Sequence, residues 1–582
     1  MKEPRSIART ATRLGAAVAL SFSMLSAANA EIPRGFELRF SSHAGSYLAA
    51  RIAGAARDMS AASTFYRSAL RADPANADLI ERTFLVTLAS GQVEESVQLA
   101  ERVIAFDKTH RIARLALAAR AIKVNQFAQA RAHLTQAVQG PIADLTATLL
   151  AGWAWYGSGN FKMGVAHIDK LSGPEWYAVF KDLHAGLMLD LSKQRNDAIK
   201  RLERVRTFDP NSLRNIDAYA RILSRAGRTE EAEKAYGEFS RALARHPLVE
   251  SAVAELKAGK TLSPLVANAA AGAAEALYGL GAALSQQGGE DLGMIYLQLA
   301  IYLNPEHPLA LVALGDLFET LKKYDLAIDT YDRVPNTSPL RRKAQIQRAL
   351  NLDILDKKDE ARERLAALVQ EMPNDIEGLF AYGNVLRANK RYAEACDVYT
   401  RLLKEMGEPK REHWSIYYFR GICFERSKQW VLAEKDFQQA LTLFPDQPQV
   451  LNYLGYSWVD QGLNLDQALE MIRKAVSLRP KDGYIVDSLG WAYYRLGRYQ
   501  EATAELERAV ELTPNDPTIN DHLGDVYWKT DRKLEARFQW SHALEMKPEP
   551  DELEKIQRKL KEGLIENPVP PRAEDPKNPD KG

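Results

Sequence analysis

Few residue patterns in this chain of 582 residues could perform chemistry. The sequence AGKT at residues 258–261 ends like a phosphate-binding loop, but Ala254 stands where such a loop needs its first glycine, and no strand pattern precedes it. Gly279-Leu280-Gly281 lacks the third glycine of a dinucleotide-binding loop and falls within a helical pattern, where glycine permits close packing. Neither segment predicts a phosphate or dinucleotide site.

Metal-binding and nucleophilic patterns are equally few. The ten histidines are scattered without a His-Glu-x-x-His motif, and Cys396 and Cys423 are too far apart in the sequence to form a Cys-x-x-Cys pair. Residues that meet only in the folded chain escape such a search. The sequence therefore predicts no cofactor, no metal site and no enzyme activity, which leaves the surfaces of its secondary structure as candidate sites.

An internal repeat predicts that secondary structure. Its marker is a small residue that recurs mostly at intervals of 34: Gly281, Gly315, Ala349, Gly383, Gly421, Gly455, Gly490 and Gly524. In the last two copies, Leu489-Gly490, Tyr493, Ala502, Leu506, Ala509 and Pro514 recur as Leu523-Gly524, Tyr527, Ala536, Trp540, Ala543 and Pro548. This period and pattern resemble the tetratricopeptide repeat (TPR), a hairpin of two helices.

The repeat has a physical reason. Small residues let the two helices of a hairpin approach closely, and large apolar residues fill the space between hairpins. A single hairpin cannot bury that face, so several must stack. The predicted fold is all-α, a superhelical solenoid of antiparallel helix pairs with about 14 repeats in two blocks.

Domain boundaries follow from the register. We predict a signal peptide at 1–30, six degenerate repeats at 43–242, a joint at 243–273, eight repeats at 274–550, a capping helix at 551–566 and a disordered tail at 567–582. The first block rests on second-helix small residues 34 apart, at Ala62, Ser96, Ala130, Gly164, Ala198 and Ala232. His246-Pro247 and Ser263-Pro264 break the register and mark the joint.

The N-terminus has the pattern of a secretory signal. Four basic residues precede an apolar stretch from Leu14 to Leu25, and Ala28-Asn29-Ala30 is a small-residue cleavage site. We expect cleavage after Ala30 and a periplasmic location; the alternative, a signal anchor, would need a longer apolar stretch. No cysteine lies near residue 31 for lipid attachment, and no later segment has enough apolar residues to span a membrane.

The formal net charge disfavours one class of function. The formal net charge is +1, and removal of the signal, with four basic residues and one acidic residue, leaves −2. A general nucleic-acid-binding protein would need a basic stripe, so this class is disfavoured. Protein partners are the remaining expectation.

The repeat register also predicts a binding strip. In a stacked array of hairpins the first helices line the concave side, and residues beside each marker glycine face the groove. The strip so predicted is Asn452, Tyr456, Asp487, Trp491, Tyr494, Arg495, Asp521, Asp525, Trp528 and Lys529. Aromatic and arginine side chains dominate binding hot spots, which favours a partner site. Alternatively, the aromatics pack against the neighbouring first helix or under the capping helix, or the phase is wrong.

The two cysteines leave two readings open. Cys396 lies on the second helix of one repeat and Cys423 on the first helix of the next. In an oxidising compartment they could form a disulfide, but the sequence does not give the distance between them. Two separate, inert, partly buried thiols are the other reading.

The whole chain resembles the exported TPR proteins of Gram-negative bacteria that bind carboxyl-terminal processing proteases, the LbcA type. The resemblance rests on the signal, the degenerate first block, the joint and a second block with "LNYLGYSWVD" and "DSLGWAYYRLGRYQEA". It implies a non-catalytic adaptor that holds a protease and brings it substrates such as peptidoglycan hydrolases. The chain departs from the group at the lipidated cysteine, which it lacks.

Three hypotheses follow. The first is a periplasmic adaptor whose concave grooves bind partner proteins, among them a processing protease and its cell-wall hydrolase substrates. The second is a scaffold for envelope assembly or polysaccharide export, which only the identity of the partner separates from the first. The third is an enzyme whose site lies between the two blocks.

Overall fold

A computed structural model describes residues 42–137, 140–242 and 246–564 of the chain. The predicted signal peptide and the predicted tail lie outside the described residues. The described part is built of α-helices, without a β-strand, and none of its helices combines the length and apolar character needed to cross a membrane. It divides into two compact units, an N-terminal unit that ends at Arg348 and a C-terminal unit that begins at Ala349.

The N-terminal unit begins with twelve helices. They are α1 (His43–Ala55), α2 (Met59–Ala72), α3 (Ala77–Ala89), α4 (Val93–Phe106), α5 (Arg111–Lys123), α6 (Phe127–Thr135), α7 (Pro141–Gly157), α8 (Phe161–Asp169), α9 (Tyr177–Leu191), α10 (Arg195–Phe208), α11 (Leu213–Arg225) and α12 (Thr229–Ala242). Consecutive helices pack as pairs, α1 with α2 through α11 with α12.

Five more helices complete this unit. They are α13 (Pro247–Lys257), α14 (Ala269–Gln286), α15 (Glu290–Leu303), α16 (Pro308–Thr320) and α17 (Tyr324–Asp332). Helix α18 (Arg341–Ile354) contains the boundary between the units.

The C-terminal unit continues the helical pairs. Its helices are α19 (Lys358–Glu371), α20 (Ile376–Ala388), α21 (Tyr392–Met406), α22 (Trp414–Arg426), α23 (Trp430–Leu443), α24 (Pro448–Gln461), α25 (Leu465–Leu478), α26 (Gly483–Arg495), α27 (Tyr499–Leu512), α28 (Pro517–Lys529), α29 (Lys533–Glu545) and α30 (Pro550–Glu562). The all-α solenoid of helix pairs predicted from the sequence is thus confirmed.

The turn inside each hairpin repeats with the period of the sequence. A residue with positive φ follows each first helix of the N-terminal repeats at intervals of 34: Arg57, Gly91, Asn125, Gly159, Lys193 and Gly227. A left-handed residue is the common way to end a helix and reverse the chain. The six first helices therefore end at equivalent positions, which is the regularity that a stack of equal hairpins requires.

The marker glycines lie where two helices of a hairpin touch. A Cβ atom on Gly524 of α28 would lie 2.4 Å from Cδ1 of Trp540 in α29, and one on Gly490 of α26 would lie 2.5 Å from Cγ of Leu506 in α27. Both distances are shorter than van der Waals contact, so only glycine fits. Trp540 and Leu506 are fully buried against these glycines.

First helices lie on the inner side of each stack. In the C-terminal unit α24 packs against α26 and α26 against α28, whereas the second helices between them make no comparable contact with one another. Helices that approach each other from repeat to repeat line the concave side of a curved array. This arrangement supports the assumption behind the predicted strip.

Residues 246–268, within the predicted joint, lead the chain back along the N-terminal repeats. Helix α13 packs against α12, and the following segment runs along α11, where the amide of Leu262 donates to Oγ of Ser224 and Arg221 donates to the carbonyl of Ser263. Asn268 then caps α14, its side chain accepting from the amide of Ala271. The compact units divide elsewhere, at Arg348, and the division into repeat blocks at residues 243–273 stays a prediction.

Candidate protein-binding grooves

The groove of the N-terminal repeats is filled by the chain itself. Helix α14 packs on the first helices α5, α7 and α9, and α15 packs on α3 and α5. A Cβ atom on Gly272 of α14 would lie 2.3 Å from the indole of Trp153 in α7, so the two helices are in close contact. The concave side of this unit is therefore occupied by its own α14–α15 hairpin.

Helix α15 is fitted to this interior position. Its residues from Met294 to Ile301 are all buried, on every face of the helix. Three polar groups anchor it: Tyr296 donates to Thr146 (3.0 Å), Gln298 donates to the carbonyl of Ala89 (3.3 Å) and Tyr302 donates to Glu94 (2.5 Å). A helix with hydrophobic residues on every face is stable only when protein encloses it, and the three hydrogen bonds satisfy its few polar groups.

A buried ion pair fixes the start of the hairpin. Arg214 of α11 donates two hydrogen bonds to the carboxylate of Glu275 in α14, from Nε to Oε1 at 2.6 Å and from Nη2 to Oε2 at 2.5 Å. His307 accepts from the amide of Ala310 through Nδ1, so its Nε2 hydrogen points to Glu275 at 3.1 Å. Burial alone would raise the pKa of Glu275, but Arg214 and His307 hold it far below its usual value.

The corresponding groove of the C-terminal unit contains the predicted strip. Its residues lie on α24, α26 and α28, the first helices of three consecutive repeats. The structure therefore brings together on neighbouring helices all ten residues that the register selected. Their individual environments differ, and several take part in internal packing.

Trp491 is the centre of an aromatic stack. Its indole lies nearly parallel to the imidazole of His522 in α28, with ring centroids 4.1 Å apart, and to the ring of Tyr494, with centroids 4.8 Å apart. Its Nε1 atom is buried without a hydrogen-bond partner in the described structure. Trp491 thus packs against the neighbouring first helix, which was one of the alternatives for these aromatics.

Asp487 holds the other side of His522. Its two carboxylate oxygens lie 2.9 and 3.1 Å from Nδ1 of His522, and both residues are buried. Burial lowers the pKa of His522, but the charge and hydrogen bond of Asp487 outweigh it, so the pKa is raised. Asp487 therefore links α26 to α28 through its contact with His522.

Asp521 and Asp525 both bind the lysine of the last helix. Lys559 of α30 donates to Asp521 at 2.7 Å and to Asp525 at 2.8 Å, and Trp540 donates its indole N–H to Asp525 at 3.0 Å. Burial and the nearby Asp521 raise the pKa of Asp525 to about 6. Two carboxylates that share one ammonium group leave this end of the groove acidic.

Trp528 lies beneath the residues that follow α30. A Cβ atom on Gly563 would lie 2.3 Å from Cζ2 of Trp528, and the ring of Trp540 lies 5.4 Å from it, centroid to centroid. This is the second alternative for the aromatics, packing under the capping helix. Lys529, beside it, is half-buried.

Three strip residues lie nearer the middle of the unit. Arg495 is exposed and pairs with Asp460 of α24 at 3.2 Å. Tyr456 is half-buried, and burial together with Asp487 and Asp460 raises its pKa. Asn452 is half-buried with an unpartnered Oδ1. Arg495 is the one exposed residue of the strip, and its partner Asp460, outside the strip, is exposed as well.

Sequence reasoning missed two members of this groove, His522 and Lys559. The period contained a signal for Lys559, because it lies 34 residues after Asp525 and 68 after Trp491, in the position of a first helix. Treating the capping helix as one more first helix would have found it. His522 gave no local signal, since its role depends on the stack across α26 and α28.

The two cysteines are neighbours in the C-terminal unit. Cys396 lies in the first turns of α21 and Cys423 near the end of α22, both buried in one apolar cluster with Tyr399 and Ile416. Both are free thiols in this structure, and the disulfide between them stays a prediction.

The grooves offer surfaces rather than reactive groups. Within the described residues, no group of three or more His, Cys, Asp or Glu side chains is placed to hold a metal ion. Charged side chains of the strip pair with residues outside it: Asp487 with His522, Asp521 and Asp525 with Lys559, and Arg495 with Asp460. The chemistry that this arrangement supports is recognition of a partner by charge and aromatic contact.

Comparison with known proteins agrees with the repeat pattern. Family models described as "Tetratricopeptide repeat" match residues 295–340 and 348–408, and one described as "TPR repeat" matches residues 490–531. The "TPR repeat-containing protein PA4667" of Pseudomonas aeruginosa is 31% identical over 191 residues, which are 32% of this chain and 31% of that protein. The chain thus matches less than a third of this relative's length.

Two solved structures are similar at low identity. The APC/C hetero-tetramer Cut9–Hcn1 is 15% identical with a TM-score of 0.37, covering 94% of this chain and 99% of that one. A tetratricopeptide repeat protein from Parabacteroides merdae is 16% identical with a TM-score of 0.35, covering 50% and 97%. At these values the likenesses carry no argument about shape or partners. The helix pairs, their period and the matching repeat models together show that this chain contains tetratricopeptide repeats.

Proposed function

We propose that this chain is a non-catalytic adaptor that binds a partner protein in the groove of its C-terminal unit. The observation that carries the proposal is the contrast between two grooves. In the N-terminal unit the first helices are covered by α14 and α15. In the C-terminal unit Arg495 and Asp460 are exposed and Tyr456 is half-buried, beside the aromatic stack of Trp491, His522 and Tyr494. A rigid, mixed aromatic and charged surface is typical of a binding hot spot.

The proposed partners follow the resemblance drawn from the sequence. They are a carboxyl-terminal processing protease and the cell-wall hydrolases that it degrades, with the adaptor exported to the periplasm. Holding protease and substrate on one scaffold raises their local concentration without any catalytic group on the adaptor. The scarcity of catalytic motifs in the sequence supports a non-catalytic role.

The test is affinity capture of the full mature chain from an envelope extract, with bound proteins identified by mass spectrometry. The groove variant combines Tyr456→Ala with Arg495→Glu, because Trp491 and Trp528 pack internally and their loss would change stability as well as binding. The matched control combines Phe538→Ala with Arg473→Glu, an exposed aromatic and an arginine on second helices. Equal helicity and Tm of both variants are required.

Three outcomes decide between the hypotheses. A processing protease with cell-wall hydrolases that is captured by the wild type and the control, and lost with the groove variant, supports the adaptor. Envelope-assembly or polysaccharide-export components in the same pattern favour the alternative scaffold. Hydrolase activity or a bound metal in the purified chain, without any captured partner, rejects both and favours an enzyme.

Export has its own test. The proposed signal peptide would be removed after Ala30, so the mature protein would begin at Glu31. Intact-mass measurement and N-terminal sequencing of the protein from a periplasmic extract give the answer. A chain that still begins at Met1 in the cytoplasm would overturn the proposed location but not the groove.

A further inference from the structure

We propose that the N-terminal unit binds an apolar chain that ends in a carboxylate, in a cavity of about 480 Å³ beside the hairpin that fills its groove. The cavity lies where α15, α16 and α17 meet the turns of the first two hairpins and the end of α5. Its volume is within the range of small-molecule sites, about 300–1,000 Å³. All its lining residues belong to the N-terminal unit, so the site does not depend on the function proposed for the C-terminal groove.

Apolar side chains from five helices line the cavity. Four are buried and two are half-buried, in this order: Val93, Ile301, Leu314, Phe318, Met59 and Leu326. Five of the six are not aromatic, so the lining offers a flat stacking surface only at Phe318. Removal of apolar surface from water is the main source of affinity in such a site. The lining therefore suits a hydrocarbon chain or an apolar side chain.

Cationic side chains line the same cavity. Arg57, in the turn of the first hairpin, is already paired, since its guanidinium lies 3.4 Å from the carboxylate of Glu290. Lys123, at the end of α5, donates to a neutral group instead, the carbonyl of Leu303, at 3.3 Å. A neutral carbonyl orients the ammonium group but does not compensate its charge. Lys123 therefore keeps a positive charge for a ligand.

Arg333 is the second uncompensated cation of the lining. It directly follows α17, and within the described part of the chain its guanidinium has neither a carboxylate nor a hydrogen-bond partner. Partial burial lowers its pKa, and no nearby carboxylate opposes this effect. An anion placed beside a partly dehydrated guanidinium stabilises its charge. Asp329 is the one acidic residue that lines the cavity, so Lys123 and Arg333 leave an excess of positive charge, which a single carboxylate matches.

Two kinds of molecule carry this chemistry, a fatty acid and the C-terminal residue of a peptide. The test measures the affinity of the full chain for both by equilibrium dialysis at about pH 7, where carboxylates are ionised. Decanoate is compared with 1-decanol, which has the same hydrocarbon chain without the charge. N-acetyl-Leu-Phe with a free carboxylate is compared with its C-terminal amide. We expect decanoate to bind at a single site per chain, about 10-fold more tightly than 1-decanol.

Two variants change the charge of the cavity in opposite directions. Arg333→Met keeps an apolar stem and removes the guanidinium, so we expect decanoate to bind about 10-fold more weakly and 1-decanol to bind as before. Asp329→Asn removes the acidic group and is expected to strengthen the binding of decanoate about 3-fold. The matched control is Arg71→Met, at an exposed arginine of α2 that does not line the cavity. Opposite effects of the two cavity variants separate a binding site from a general loss of structure.

The probes also identify the source of the carboxylate. Binding of decanoate without the acetylated peptide supports a fatty acid, and binding of the free peptide but not its amide supports a peptide C-terminus. Equal affinities for decanoate and 1-decanol would overturn the recognition of a carboxylate. The proposal is also overturned if none of the probes binds, or if the Arg333→Met and Arg71→Met variants bind decanoate equally well.

Discussion

Arg214 and Glu275 form a buried ion pair that joins the sixth repeat of the N-terminal unit to the hairpin inside its groove. Nε of Arg214 lies 2.6 Å from Oε1 of Glu275, and His307 donates to the same carboxylate. The pair fixes one end of α14 on the wall that it covers. A buried, fully hydrogen-bonded ion pair favours the one position of the hairpin in which it forms over other positions that offer apolar contacts only.

We expect Glu275→Ala to loosen the hairpin. The change leaves the charge of Arg214 buried with only Asp217, at 3.3 Å, to compensate it. Removing one partner of a buried pair costs about 3 kcal/mol or more. Hydrogen exchange followed by mass spectrometry is expected to show opening of α14 and α15 about 100-fold faster.

The control for this prediction removes both charges. Arg214→Met combined with Glu275→Leu replaces the pair with apolar side chains of similar size, and we expect exchange near that of the wild type, because no uncompensated charge is left. Equal acceleration in the single and double variants would show that the hairpin depends on volume at this site and not on the pair.

Stability of the C-terminal unit is expected to fall as the pH rises. Burial and Asp521 raise the pKa of Asp525 to about 6, above its unfolded value of about 3.9, so the folded chain binds this proton more tightly. The resulting stability is complete below about pH 4 and is lost as the pH rises through about 6. This contribution of Asp525 to the free energy of unfolding is at most about 3 kcal/mol.

His522 extends this dependence to higher pH. The pKa of His522 is raised in the folded chain. This residue therefore contributes stability that is fully present below its unfolded pKa of about 6.5 and is lost as the pH rises through its folded pKa. We expect the Tm of the wild type to decrease between pH 5 and 8. Asp525→Asn is expected to remove the decrease in Tm between about pH 4 and 6. His522→Gln is expected to remove the decrease in Tm above this range. A constant difference in Tm between wild type and Asp525→Asn over this range would contradict the assignment.

The period of the sequence was enough to predict the helix pairs and the helices on which the strip residues lie. Gly490 and Gly524 lie at the close contacts that a repeat of 34 requires, and all ten predicted strip residues lie on α24, α26 and α28. Periodicity describes one hairpin and its equivalent neighbours. It therefore gives the helix face on which a residue lies, but not the side chain that it contacts in the next repeat.

The filling of the groove in the N-terminal unit could not be predicted from the period of the sequence. Helices α14 and α15 have the same repeat pattern as those that stack in line, yet they fold back against α3, α5 and α7. The composition of α15 indicated this position, because seven of the eight residues from Met294 to Ile301 are hydrophobic and only Gln298 is not. A helix on the outside of a solenoid would keep one polar face.

Trp491 is expected to contribute to the stability of the C-terminal unit as well as to the binding of a partner. Trp491→Ala removes the stack with His522 and Tyr494 and is expected to cost about 3 kcal/mol. Trp491→Phe keeps an aromatic ring and removes the unpartnered indole N–H, so we expect a change within about 1 kcal/mol. Urea unfolding followed by circular dichroism measures both. Equal losses would mean that the indole nitrogen finds a partner in solution.

Two glycines of the N-terminal unit should respond in opposite directions to alanine. A Cβ atom on Gly315 of α16 would lie 2.5 Å from Cε1 of Tyr331, a buried ring held by a hydrogen bond to Asp316. Overpacking of this kind costs about 1–3 kcal/mol. A Cβ atom on Gly279 of α14 meets only Phe180, at 3.4 Å, which is ordinary contact.

Gly279→Ala is therefore expected to stabilise the unit by up to about 1 kcal/mol, because alanine is a better helix former than glycine. Gly315→Ala is expected to destabilise it, since the clash with Tyr331 exceeds that gain. Thermal unfolding of the two variants beside the wild type separates the effects. A stabilising Gly315→Ala would mean that α16 and α17 can move apart, and that the marker glycine is not required by the close approach of the two helices.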